Sequence, residues 1–236
     1  MTETPLMTNN DRDRFRAVVA LDVDGVLRIP QPLPGEKTEA ISVEITMTQD
    51  RYPWHYHRSP PWNTEGTYTA RHFFSATGVR WVQSLLERGI DARWCTTWHA
   101  FANVYFIGPL QLPELPVIAA EPRRREMAVE WKIRSIAHAT RGRPVLWVDD
   151  NGWEDGLRYA HTPRALARYR GINSEIGISP PDVRAMDEWL ALASTPEGHN
   201  DLHRQWRRER DRRRRWDRLE TRSTLEQPDR SGGRSL

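Results

Sequence analysis

The sequence predicts an α/β domain, a three-layer sandwich in which helices cover both faces of a parallel sheet. Three observations predict it. Residues 17–21, 90–96 and 144–148 are short, largely apolar runs, the pattern of strands buried on both faces. Residues 78–88 and 125–139, which separate them, carry apolar side chains at helical spacing. Each apolar run also ends on a side chain capable of chemistry: Asp22, Thr96 or Asp149. In open parallel sheets, ligands gather outside the carboxyl ends of the strands.

The elements follow in order. Residues 17–21 form the first strand. Residues 28–76 are a long insert rich in Pro, Tyr, Trp and His, and within it residues 41–48 alternate apolar and polar, which predicts a small β-hairpin flap. Val79, Val82, Leu85 and Leu86 mark a helix over 78–88 that Gly89 ends. A helix from Trp98 through Tyr105 follows the second strand, and 115–119 is a short third strand. Over 125–139, Met127, Val129, Ile133 and Ile136 are the expected inner positions. After the strand 144–148, residues 156–169 and 181–192 read as helices, the second started by Ser179-Pro180-Pro181-Asp182. A basic helix over 201–222 closes the ordered chain, with Leu202, Trp206 and Trp216 on one side.

This gives a disordered stretch at 1–15, a core α/β domain at 16–192 with the flap at 28–76, and an Arg-rich tail at 193–236. The tail is helical at first and disordered from 223, where the chain is polar and contains Gly232-Gly233.

Composition limits the function classes. The chain has 236 residues, room for one core domain with appendages. It has no run of eighteen apolar residues, so no membrane span is expected, and its polar start does not resemble a signal peptide. Cys95 is the lone cysteine, which excludes a disulfide framework and a cysteine zinc cluster. A cytoplasmic location is expected. The net charge of +3 is unevenly spread: residues 201–222 hold ten Arg against five acids, and 223–236 balance to zero, so the first 200 residues carry −2. Lys37 and Lys132 are the only lysines in a strongly Arg-biased chain.

A carboxylate at the tip of a buried strand is costly unless a cation or hydrogen bonds compensate it. Asp22 and Asp24 lie two apart with Gly25 next, so the chain can turn sharply and present both acids to one point. One carboxylate can attack phosphorus and form an aspartyl-phosphate. A second can protonate the leaving oxygen and then activate water. Asp149 and Asp150, at the end of another strand, complete an oxygen-rich site suited to Mg²⁺.

Together these residues resemble the haloacid dehalogenase (HAD) superfamily: Asp-x-Asp-Gly after strand one, Thr or Ser ending strand two, Lys on a later helix, and paired acids after a further strand. The resemblance covers about residues 16–192 and implies a Rossmannoid fold and a Mg²⁺-dependent phosphatase. It implies that Asp22 is the nucleophile and a metal ligand. Asp24 becomes the acid/base, offering its backbone carbonyl to the metal. Thr96 becomes the phosphoryl-binding hydroxyl, Lys132 the lysine that neutralises phosphoryl charge, and Asp149 a metal ligand supported by Asp150. Strand phase leaves Thr96 and Thr97 as competing hydroxyls. A closer likeness is to a HAD subgroup related to the HAD domains of "Swiss Army knife" RNA repair proteins, carried by Trp94-Cys95-Thr96-Thr97-Trp98, Ala102-Asn103 and Trp147-Val148-Asp149-Asp150. The long insert and the Arg-rich tail depart from it.

Other residues have plainer readings. Cys95 is a buried strand residue without a partner base. His55 and His57 are spaced to share a metal, but no third ligand is in view and aromatic packing in the flap suits them better. Trp54, Tyr56 and Trp62 could stack on a base. Arg123-Arg124-Arg125 is a solvated helix start. The tail could contact nucleic-acid phosphates. Alternatively, Glu209 with Arg213 and Asp211 with Arg215 compensate it internally. The expected substrate is a phosphorylated compound, a nucleotide or nucleic-acid end by resemblance. The competing readings are a HAD phosphatase acting on a small metabolite and a non-catalytic nucleic-acid-binding protein on the same scaffold.

Overall fold

The computed structural model describes residues 15–32, 39–53, 57–118, 126–140, 142–152 and 166–225, apart from the side chains of 210 and 213–225. In chain order the elements are β1 (Val18–Leu21), β2 (Arg28–Ile29), β3 (Ala40–Thr48), β4 (Thr67–Ser75), α1 (Ala76–Glu87), β5 (Asp91–Trp94), α2 (Phe101–Tyr105), α3 (Ile107–Leu110), α4 (Ala128–Thr140), β6 (Val145–Asp149), β7 (Ala167–Gly171), α5 (Pro180–Ala193) and α6 (Pro196–Leu225).

The parity of the side chains on β1 sets the layers. Val19 and Leu21 join Leu146 and Val148 of β6, Val79, Val82 and Leu85 of α1, and Met186 and Leu190 of α5 in one cluster. Val18 and Ala20 point the other way, into a second cluster with Val145, Trp147, and Ile133 and Ile136 of α4. Helices therefore cover both faces of a four-stranded parallel sheet ordered β5-β1-β6-β7. Each fully buried Val or Leu contributes roughly 1.5–3 kcal/mol. Parity also aims the acids: Asp22 continues the series 18, 20, and Asp149 the series 145, 147, so both belong to the face that α4 covers.

The insert supplies a second, antiparallel sheet ordered β2-β4-β3. The expected alternation over 41–48 forms β3, with Ile45 and Met47 buried. Its partner β4 runs directly into α1, whose first turn is capped by Ser75 Oγ accepting from Gly78 N at 3.0 Å. Gly89 ends that helix in the left-handed region at φ 68°. The start of α5 also follows the sequence expectation, since Ser179 and Asp182 form a capping box beside Pro180.

Several expectations fail. Met127 is not an inner residue; it is 64% exposed, because α4 begins one residue later and Trp131 takes the inner place. Tyr169 is not helical but sits in β7, which pairs with the open edge of β6. Residues 115–118 do not form a full strand: one parallel bridge joins Val117 to Trp94. The helix expected from Trp98 is a turn followed by α2 and α3, with His99 at φ 49° just before them. The tail helix α6 starts at Pro196 rather than at 201, and His199 and Leu202 are buried in its first turns.

The expectations for residues 1–14 and 226–236, Arg123-Arg124-Arg125, the His55 metal pairing, Trp54 and Tyr56, and the helix start at 156–165 lie outside the described residues, as do the side chains of Arg213, Arg215 and Trp216. Among the described residues, no helix is long and apolar enough to cross a membrane.

Candidate active site

β1 and β6 are neighbours in the sheet, with Leu21 beside Val148. The residues that follow this pair, Asp22 just past β1 and Asp149 at the end of β6, therefore emerge side by side. Both are buried, at 5% and 0% exposure. Lys132 rises from α4 beneath them and places Nζ 2.6 Å from Asp22 Oδ2 and 2.6 Å from Asp149 Oδ2. Trp147 Nε1 donates to Asp149 Oδ2 at 3.0 Å, and Asn151 N donates to Oδ1 at 2.9 Å. Val23 N donates to Asp22 Oδ1 at 2.7 Å. Orienting the acids thus falls to backbone and indole donors as well as to the lysine.

The charges do not balance. Burial alone would favour a neutral Lys132, but Asp22 and Asp149 outweigh it and hold the side chain as ammonium, with its pKa above the ordinary value. Burial raises the pKa of Asp149, and the nearby charge of Asp22 raises it further against the pull of Lys132. Asp150 is raised by burial and then by Asp22. One ammonium therefore serves a cluster of three carboxylates.

Asp22, Asp149 and Asp150 each offer an oxygen within 4.8 Å of the others. This donor set, all hard oxygen with surplus negative charge, fits a divalent cation. Gly25 makes the close approach of Asp150 possible. It adopts φ 69°, and a Cβ there would stand 2.4 Å from Asp150 Oδ2.

Asp24 lies at the rim. Its carboxylate is outside the three-acid cluster and faces the insert instead. Arg28 Nε stands 2.5 Å from Oδ1, Trp98 Nε1 donates to Oδ2 at 2.9 Å, and His57 Nδ1 lies 4.0 Å from Oδ2. The Arg28 guanidinium also packs 5.2 Å from the Trp98 ring centre. His57 packs on Trp98 with ring centres 4.4 Å apart, and its Nε2 pairs with Thr97 Oγ at 2.9 Å. The flap thereby holds Asp24 and the loop after β5 in one network.

Thr96 is fully buried at the end of β5, its Oγ accepting from Trp98 N at 3.3 Å. The hydroxyl of Thr97 is engaged by His57. Cys95 is buried as expected, and burial pushes its thiol pKa far up, away from the reactive thiolate. Asn103 braces the same strand: its Oδ1 accepts from Trp94 Nε1 at 2.7 Å, and its Nδ2 donates to Leu115 O at 2.8 Å.

The structure thus brings together Asp22, Lys132, Asp149 and Asp150, with Asp24 at the rim and Thr96 at the next strand end. Arg28, Trp98, His57 and Tyr169 also serve the site. Tyr169 donates to Asp149 O at 3.1 Å and accepts from Gly152 N at 3.0 Å. Arg28 did carry a signal, an opposite charge four residues after Asp24 across a glycine turn. His57 packs on aromatic rings as its place in the flap suggested, but its approach to Asp24 depends on how the insert folds.

A cleft of about 500 Å³ opens beside Asp24, Gly25 and Asp150, with β2 and β4 of the flap as its other wall. Compared with protein families, curated proteins and solved structures, the chain matches none of them.

Proposed function

We propose that this protein is a Mg²⁺-dependent phosphomonoester hydrolase of the haloacid dehalogenase type, working through an aspartyl-phosphate on Asp22. The observation that carries the reading is the meeting of Asp22, Asp149 and Asp150 within 4.8 Å at the carboxyl edge of a parallel sheet, on a buried lysine.

The chemistry follows from the positions of the side chains. Asp22 is anchored at one oxygen by Val23 N, so its carboxylate has a fixed orientation for attack on phosphorus. As the Asp22–phosphorus bond forms, the ester P–O bond breaks and the leaving oxygen takes a proton from Asp24 at the rim. Asp24 then accepts a proton from water as the water oxygen attacks phosphorus. Phosphate leaves and the Asp22 carboxylate is restored. Lys132 offsets negative charge gathered at the cluster throughout. Asp22, Asp149 and Asp150 would hold Mg²⁺, which supplies charge neutralisation and orientation of the phosphoryl group when bound. Thr96, at the adjoining strand end, is the hydroxyl assigned to the phosphoryl oxygens, because that of Thr97 is taken by His57.

The test is acid quenching during turnover of a radiolabelled aryl phosphate with Mg²⁺. Label on the peptide containing Asp22, released by hydroxylamine and absent without the metal, is the expected result. Turnover that is equally fast in excess chelator would overturn the reading.

A further inference from the structure

The cleft beside the acid cluster carries both signs of charge. Asp24 and Asp150 line it, and the flap contributes Arg28, Arg71 and His72. Its volume of about 500 Å³ suits an organic group larger than phosphate alone. Arg28 is committed to Asp24, but Arg71 is exposed and, among the described residues, engages in no ion pair, although Glu44 stands opposite it in register on β3.

Arg28 is further occupied by His72, whose Nδ1 lies 3.5 Å from Arg28 Nη1. The flap lining of the cleft contains no carboxylate, and its exposed cation is Arg71.

Given the phosphatase reading above, on which this rests, the scissile phosphate sits at the three acids and the leaving oxygen faces Asp24. The alcohol portion then extends along the cleft wall that begins at Asp24 and Gly25. We propose that the substrate is a phosphomonoester whose alcohol carries a second phosphate, and that Arg71 binds this second phosphate and sets the specificity. A guanidinium matches phosphate oxygens in charge and in paired donor geometry, and an exposed site on the flap is open to an alcohol of any length beyond it. Two sources share this chemistry: a small bisphosphate, and a nucleotide chain whose terminal phosphate is followed by a phosphodiester.

Two measurements test the proposal. In the first, kcat/KM with Mg²⁺ is compared for a nucleoside 5′-monophosphate, the nucleoside 3′,5′-bisphosphate and a 5′-phosphorylated dinucleotide. Wild-type protein is expected to prefer a substrate with the second phosphate by about tenfold, the size of one charge-assisted contact. Arg71→Gln should erase that preference and Arg71→Lys should restore part of it. Preference for the bisphosphate alone identifies a small molecule, and preference for the dinucleotide identifies a chain end. In the second, equilibrium binding of the same compounds to Asp22→Asn with Mg²⁺ is measured, with and without Arg71→Gln. The tighter binding of the second phosphate should again depend on Arg71. Hydrolysis of none of the compounds, with the binding difference intact, defeats the phosphatase reading and leaves the Arg71 site standing. Equal binding of mono- and bisphosphate overturns the Arg71 site, whatever the turnover.

Discussion

Lys132 Nζ stands 2.6 Å from Asp149 Oδ2 in a site where both side chains are almost wholly buried. Removing one partner of such a pair leaves an uncompensated charge in the interior, which costs far more than the intact pair contributes. Lys132→Met in metal-free buffer should therefore lose about 3–5 kcal/mol of stability by urea unfolding. Mg²⁺ should raise the melting temperature of this variant more than that of the wild type, because a cation relieves the repulsion the lysine no longer offsets. A variant as stable as the wild type without metal would contradict the charge balance described for the cluster.

Gly25 and Asp150 form the second coupled pair. Gly25→Ala meets two penalties: about 1–2 kcal/mol for a left-handed backbone, and a Cβ 2.4 Å from Asp150 Oδ2. The displaced carboxylate should weaken Mg²⁺ binding, read by calorimetric titration, beyond any loss of fold stability. Unchanged metal affinity would show that Asp150 is not a ligand.

His72 gives a pH dependence. Burial pushes its pKa from 6.5 down to about 4, with Arg28 adding to the effect and Asp24 opposing it. The folded chain thus keeps His72 neutral through a range in which the unfolded chain protonates it. The unfolded state binds more protons between about pH 6.5 and 4, so acidification through that window favours unfolding. His72→Gln should flatten the fall in unfolding free energy across this window. An identical pH profile in wild type and variant would remove His72 from the account.

Much of the candidate site was legible in the sequence because its acids follow directly from strand ends. The run before Asp22 and the run before Asp149 are apolar throughout, so both had to be interior strands, and side-chain parity then fixes which helix the acids meet. Lys132 stood out in an Arg-biased chain, and its place on α4 follows from helical periodicity. The misreadings have local causes. Tyr169 sits in a segment whose polar, Arg-rich pattern does not announce a strand, and pairing with the exposed edge of β6 decides its structure. Met127 matched the helical period but precedes the first turn. His57, Arg71 and His72 come from the insert, whose position over the sheet edge depends on the pairing of β3 with β4 across a long loop, and no short-range pattern encodes that.

The proposed role of Asp22 as nucleophile is tested by the rate of Mg²⁺-dependent aryl phosphate hydrolysis by wild-type protein and by Asp22→Asn. That substitution keeps the size of the side chain and removes its charge. Metal-dependent turnover in the wild type and a loss of at least about a thousandfold in the variant are expected, comparable to losing a principal catalytic group. Undiminished turnover in Asp22→Asn would contradict it.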